Sequence, residues 1–359
     1  MELSKLFNNT GAWLSGTGAD SDIVISTRIR LARNAARFPF LSKATSTNKS
    51  DIERLFYESI KASSVTRDLF YVNINKSSAV DKQFLIERHL ISKEHADSEG
   101  DRGVAFGKSE TISLMVNEED HLRIQVLHSG LELDETWKTI EEIDNELEKS
   151  VSFAFSPRFG YLTACPTNVG TGLRVSVMLH LPALSLTQHI EKVFNAVSKL
   201  GLVVRGFYGE GTKISGDLYQ ISNQFTLGKS EQEILEIIGG VIPRITGYER
   251  MARQALVKEN KAQLEDRVWR SYGILKVGRI ISSEEILHLI SQVRLGVNIG
   301  IIKDIDIKSL NELFILTLPA HLQKSEGRTL DANQRDIIRA SYVRNRLNGE
   351  KIGGEIKNV

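Results

Sequence analysis

Two stretches of this 359-residue chain combine residue types that handle anions. The first is CPTNVGTGLR, Cys165 to Arg174. Pro166, Asn168, Gly170 and Gly172 favour a tight, irregular turn with close backbone approach. The chain's single cysteine opens that turn and Arg174 closes it. A thiol, a backbone-rich turn and an arginine suit an anion; a surface hairpin with an incidental cysteine accounts for the same residues. The second stretch is IVISTRIRLAR, Ile23 to Arg33, which alternates like a strand. On a strand Arg28 and Arg30 point the same way, so both can face one phosphate chain. A solvated basic edge strand is the plainer alternative.

Further elements must position these groups. Ser50-Asp51-Ile52-Glu53 reads as a capping box for a helix with Ile52, Leu55, Phe56 and Ile60 on its apolar side. Residues 92–109 read as a loop. Thr111 to Val126 places the polar run Asn117-Glu118-Glu119-Asp120-His121 between two apolar segments, the pattern of a hairpin tip. Glu135 to Lys149 forms an amphipathic helix with Trp137, Ile140, Ile143 and Leu147 inward. Ser185 with Gln188 predicts a capping box, and Gly201 stops the helix that follows. Residues 202–223 predict a strand, a glycine-rich segment and a second strand. Ser230 with Glu233 caps a further helix, which Gly239 and Gly240 weaken. Beyond about residue 258 the pattern is helical, with Ser282 and Glu285 as another cap.

Composition narrows the classes. Apolar residues make up 41% and charged residues 25%, as in ordinary globular proteins. The net charge of +1 gives no bulk attraction to nucleic acid or membrane. No apolar run approaches the roughly 20 residues of a membrane span. The first residues lack the basic flank and apolar core of a secretory signal. One cysteine excludes an intrachain disulfide and a multi-cysteine zinc site, and a reducing cytoplasm is the expected setting. There is no Walker A motif and no protein-kinase HRD motif.

CPTNVGTGLR resembles the signature of the ATP:guanidino phosphotransferases, the creatine and arginine kinases. Three other stretches agree, in the family's order: STRIR from Ser26, NEEDHLR from Asn117, and RGFYGE from Arg205 with ISN at Ile221. The resemblance implies an α+β fold in which a large antiparallel β-sheet is flanked by helices. It implies ATP and Mg2+, the metal held mainly through ATP and by no dedicated ligands. It assigns ATP binding to Ser26, Arg28, Arg30, His89, Arg123, Arg174 and Arg205, although a surface histidine is almost as good a reading of His89. It assigns catalysis to Glu119, Glu210 and Cys165. Either glutamate could orient the acceptor guanidinium or take its proton. Met115 stands where the family usually has Trp, and Met178 where it has a second adenine-side His.

The helical domain that precedes STRIR in ordinary creatine and arginine kinases has no counterpart here, so an open acceptor site is expected. A helical extension carries RDxxRA instead, Arg335 to Ala340. This arrangement is similar to the bacterial protein-arginine kinases. It implies residues 1–257 as catalytic domain and an all-helical C-terminal domain, 258–359, for dimerisation and phosphoarginine binding. Arg335, Asp336, Arg339 and Ala340 would form that second site; a salt-bridged helix face is the alternative. The implied partners are proteins with exposed arginines, an activator protein and the Clp ATPase/protease system, in a homodimer serving protein quality control and stress response. A small-molecule guanidino kinase and a non-catalytic phosphoarginine-binding adaptor are the competing readings.

Overall fold

A computed structural model of the protein describes Leu6, residues 10–206 and residues 216–348. Its centre is an antiparallel sheet of eight strands. In chain order these are β1 (Val24–Arg33), β2 (Phe70–Asn73), β3 (Gly103–Phe106), β4 (Ile112–Val116), β5 (Leu122–Ser129), β8 (Leu173–His180), β9 (Leu202–Gly206) and β10 (Leu218–Asn223). The spatial order is β2-β3-β4-β5-β1-β8-β10-β9. A two-stranded hairpin, β6 (Phe155–Ser156) with β7 (Gly160–Tyr161), stands outside it.

Register divides the sheet into two unlike faces. Residues directly opposite in an antiparallel pair share a face. Ile29 lies opposite Val126 and Val175, and Leu31 opposite Ile124 and Leu173. These side chains are fully buried. They form one core with Ile140, Ile143 and Leu147 of α4 (Leu133–Glu148) and with Ile234, Ile238 and Ile242 of α7 (Glu231–Glu259). The other face carries the arginines. A one-residue slip would exchange the two sets, so burial of the apolar face fixes the register.

Helices cover parts of the arginine face. Phe84 and Leu85 of α2 (Ala79–Glu87) pack with Val104, Phe106 and Met115. At another end, Trp13, Leu127, Met178 and Leu218 join the core of the C-terminal helices. Those helices are α8 (Lys261–Val277), α9 (Ser283–Asn298), α10 (Ile307–Leu316), α11 (Pro319–Glu326) and α12 (Ala332–Leu347). Arg294 of α9, fully buried, donates to Ser21 O, Asp22 O and Nδ1 of His180. The helical region thus shares a core with the sheet. Residue 258 lies in the last turn of α7, and the helix breaks at Asn260.

Several local expectations are corrected. Helix α1 runs Ser46–Ala62 and is capped by Thr45 with Asn48, one turn before the predicted box. Ser50 is already helical and bonds Ser46 O and Asp101. The expected loop at 92–109 contains α3 (Lys93–Asp97) and the fully buried strand β3. A strand buried on both faces shows no alternation, and GVAF is too short to signal otherwise. The Ser185/Gln188 box does not form: Gln188 has φ 58° between α5 (Pro182–Leu186) and α6 (Ile190–Ser198). Helix α7 passes through Gly239, Gly240 and Pro243 without interruption, because its apolar stripe is buried against the sheet.

Arg33 belongs to the core. Its guanidinium donates to both carboxylate oxygens of Asp144 on α4, and to Ala32 O and Thr171 O. It also lies 3.5 Å over the Tyr161 ring. This group ties the end of β1 to α4 and to the turn before β8. Removing one partner of a buried ion pair leaves an uncompensated charge. Asp144→Ala should therefore lower folding stability by about 3–5 kcal/mol in urea unfolding; a loss below about 1 kcal/mol would show the pair to be dispensable.

Candidate active site

Register places five sequence-predicted arginines on one sheet face. Arg30 lies directly opposite Arg174, Arg28 opposite Ser176, and Arg123 opposite Ala32. Arg205 of β9 lies opposite Gln220, whose other neighbour is Met178. Residues 28, 30 and 32 alternate to the same side, as do 174, 176 and 178.

Like charges so close strain one another. Burial, then Arg123 and Arg174, pull the Arg28 guanidinium down to about 9. Arg30 is pulled well below its ordinary value by burial, then by Arg28, Arg123 and Arg174, with Glu118 opposing. An arginine keeps its charge in a protein, so the repulsion persists at neutral pH. Arg28 Nη2 donates to Gln220 Oε1 at 2.6 Å, and Arg174 Nη2 to Ser222 Oγ at 3.2 Å. Nε of Arg30 is buried with no hydrogen-bond partner. Such a face suits a polyanion, whose charge relieves the repulsion and whose oxygens accept the remaining N–H groups.

Glu118 is the counterion that sequence reasoning did not single out. Arg123 Nη1 reaches both of its carboxylate oxygens at 2.7 Å, and Ser92 Oγ donates at 2.6 Å. Burial would raise Glu118, but Arg123 and Ser92 outweigh it and hold the group at about 2. The signal was present in the spacing, because residues 118 and 123 flank the tip between β4 and β5.

That tip is a tight hairpin. Asn117 takes φ 61° and its amide donates to Lys49 O and Asp101 O. Asp120 faces inward and accepts from Asn34 Nδ2 and from the backbone N–H of Ala164, both at 2.6 Å. His121 accepts the Ala35 N–H at Nδ1 and donates from Nε2 to Pro39 O. Glu119, between them, is exposed. Burial, then Asp120 and Glu118, raise its carboxyl above the ordinary value. The Ala164 contact connects this hairpin to the residue before Cys165.

The central turn is a single 3-10 turn, Pro166–Asn168, after Cys165. Cys165 is half-buried, with Sγ 3.1 Å from Thr167 Oγ1. The two-residue strand β7 leads into the turn, and Tyr161 bridges to Gly170. Gly172 has φ 66°, and a Cβ there would lie 2.6 Å from Ala32 O, so the turn closes against β1 only with glycine. Glu210 lies outside the described residues.

His89 is half-buried in a cleft with Trp13, Ser26, Arg28, Met178 and Gln220. The surface-histidine alternative is thereby corrected. Its ring meets Trp13 edge-on at 5.3 Å, and its carbonyl accepts from Gln125 Nε2 at 2.7 Å. Burial, then Arg28 and Arg30, lower it to about 3, so the ring is neutral. Trp13 was not foreseen, because it lies in a lead-in segment without periodicity.

The RDxxRA residues sit on α12, away from these arginines in the sheet. Arg335 and Asp336 are partly exposed. Arg339 is fully buried and donates to Thr317 O, Ile281 O, Ser283 Oγ and, at 2.5 Å, Asp336 Oδ1. Ala340 is wholly within the helical core. Arg339 therefore braces Asp336, and Ala340 supplies packing where a ligand contact was expected. Among the described residues no group of three His, Cys, Asp or Glu side chains could hold a metal ion.

The model of the ATP:guanido phosphotransferase C-terminal catalytic domain matches residues 51–252. That of the protein-arginine kinase McsB C-terminal domain matches residues 261–355. The chain is 48% identical over 349 residues to a protein-arginine kinase of Halothermothrix orenii, covering 97% of this chain and 100% of that protein. It is 46% identical over 355 residues to one from a Geobacillus species, covering 98% of each. Among solved structures it is similar to lombricine kinase, with 27% identity and a TM-score of 0.59 over 70% of each chain. The duplicated taurocyamine kinase of Schistosoma mansoni, holding transition-state analog components, gives 29% identity and 0.59. That match covers 65% of this chain and 33% of the other.

Two outcomes follow from the charges. Arg30→Met should raise the Tm of the free protein by roughly 2 °C and remove most of the stabilisation that ATP gives. A lower Tm with an unchanged ATP shift would disprove the stored repulsion. The depressed Glu118 carboxyl contributes stability that is complete above its ordinary 4.5 and lost as pH falls toward 2. Glu118→Gln should flatten that acid limb by on the order of 3 kcal/mol in urea titrations at pH 2 to 5; parallel limbs would contradict it.

Proposed function

The chain belongs to the ATP:guanido phosphotransferase family, among its protein-arginine kinases, and on that premise we propose that it transfers the γ-phosphoryl of Mg-ATP to arginine side chains of proteins, marking them for Clp-type degradation. The activity is that of a phosphotransferase acting on arginine. One observation carries the mechanistic reading: four mutually repelling arginines on one sheet face sit beside a hairpin that is hydrogen-bonded to the cysteine turn.

The nucleotide's phosphates lie on Arg28, Arg30, Arg123, Arg174 and Arg205, and its base enters the cleft of His89 and Met178 at Ser26. The donors on that face are guanidiniums, and its buried carboxylate, Glu118, is committed to Arg123. Mg2+, when bound, would be held mainly through ATP and would supply charge neutralisation beside these arginines. A guanidinium is a poor nucleophile with a pKa above about 12. Glu119 and Glu210 orient it, and one of them takes its proton as the N–P bond forms and the bond to the ADP oxygen breaks. The raised carboxyl of Glu119 supports a role as base. Cys165 contributes at the same end of the site. Transfer passes through a loose transition state, so positioning and electrostatics supply most of the rate.

In this reading Arg335 and Asp336 recognise phosphoarginine with Arg339 as brace. The helical region dimerises through exposed apolar residues such as Trp269 and Val277. An activator protein and the Clp system act with it in the cytoplasm.

Incubation with Mg-[γ-32P]ATP and an unfolded arginine-containing protein should give acid-labile label. Label on free arginine alone would favour a small-molecule kinase, and no label a non-catalytic adaptor. Glu119→Ala should cut transfer at least about 100-fold while ATP still stabilises the fold; near-normal turnover sinks the assignment. The wild-type rate should fall as pH drops through the raised titration of Glu119.

A further inference from the structure

An exposed apolar rim borders the cysteine turn on two segments, and none of the catalytic roles uses it. Phe155 and Phe159, on the β6–β7 hairpin, are 59% and 42% exposed. Phe225 and Leu227, after β10, are 54% and 55% exposed. Scattered single apolar residues on a surface are ordinary, but a grouped set marks a contact.

Both segments are fastened directly to the turn. Tyr161 and Gly170 exchange backbone hydrogen bonds, N–H to O at 2.7 Å and 3.3 Å. Gly160 approaches so closely that a Cβ would lie 2.5 Å from Gly170 O. On the other segment, Thr226 Oγ1 donates to Val169 O at 2.6 Å and to Thr167 O at 3.2 Å. A Cβ on Gly170 would meet Leu227 Cα at 3.0 Å. The four side chains therefore ride on the same backbone that holds Cys165.

We propose that Phe155, Phe159, Phe225 and Leu227 form a docking platform for a large apolar side chain of the acceptor polypeptide near its target arginine. This rests on the reading that Cys165 marks the acceptor end of the site. The argument for this occupant is continuity. An arginine on a protein brings its neighbouring residues with it, and they must cross the segments flanking the turn. A free guanidino compound has no such neighbours. In folded proteins Leu and Phe beside an arginine are mostly buried, whereas in unfolded chains they are exposed. The platform thus selects arginines in exposed apolar sequence through ground-state binding, and its effect falls on KM.

The test uses the full chain and two peptides of equal length with one central arginine. One carries Leu and Phe beside it, the other Ser. Wild type should phosphorylate the apolar peptide with a KM about tenfold lower. Phe155→Ser combined with Phe225→Ser should raise that KM about tenfold, leaving kcat and the Ser peptide unchanged, with circular dichroism and ATP stabilisation as folding checks. Equal wild-type KM values for the two peptides would overturn the platform while leaving protein-arginine transfer intact. Equal losses on both peptides, with a changed mass by light scattering, would assign the rim to contact between copies and overturn it also. Transfer to neither peptide, with label on free arginine, would overturn the protein-substrate reading itself.

Discussion

Repulsion among guanidiniums held on one side of a sheet is the constraint on which the site depends. Burial lowers the proton affinity of Arg28 and Arg30, and the nearby charges of Arg123 and Arg174 lower it further. Hydrogen bonds on their own face, Arg28 to Gln220, Arg174 to Ser222 and Arg123 to Glu118, orient the side chains. The holding force comes from the opposite face, where Ile29, Leu31, Val175 and their neighbours are fully buried under α4 and α7. Hydrophobic burial there fixes the register, and the register fixes where the charges stand. Glu118, the carboxylate paired with Arg123, is placed at the edge of the cluster, at the tip between β4 and β5.

The acidic hairpin depends on a second set of buried polar contacts. Asp120 joins the hairpin to Ala164 and Asn34. That contact holds Glu119 in relation to the cysteine turn without burying Glu119 itself. Buried carboxylates keep such positions only when their hydrogen bonds are satisfied. Arg33, on the core side, stabilises the other end of the same turn through Thr171. Residues adjacent in sequence thus divide into one left exposed, Glu119, and others, Asp120 and His121, fixed by hydrogen bonds.

The helical region is part of the same body. Its core includes Leu127, Met178 and Leu218 from the arginine face, and Met178 also lines the His89 cleft. Glu87 of α2 accepts the backbone N–H groups of Ala320 and His321 on α11, two residues before His89 in the chain. Helices that carry a separate motif therefore also wall the arginine side of the sheet. Arg339 shows the same economy, since one buried guanidinium fixes Asp336 and joins α12 to the start of α9.

The fold class and most of the arginine set were legible in the chain. Strand alternation around Arg28 and Arg30, the apolar stripes of the long helices and four short motifs each carry local, periodic or spacing information. Caps at Ser230 and Ser282 were legible for the same reason. The strand at 103–106, the edge-on Trp13 and the early start of α1 were not, because burial on both faces erases alternation and a lead-in segment has no period. Spacing alone could not separate Arg33 from Arg30, nor Glu118 from Glu119. Arg33 meets Asp144 from 111 positions away, and Glu118 meets Arg123 across the folded hairpin tip, so both choices wait on packing. Local order carries the kinds of groups and the family's order of motifs. Which of them face one another is set by packing across strands and helices, a long-range property that no short stretch encodes.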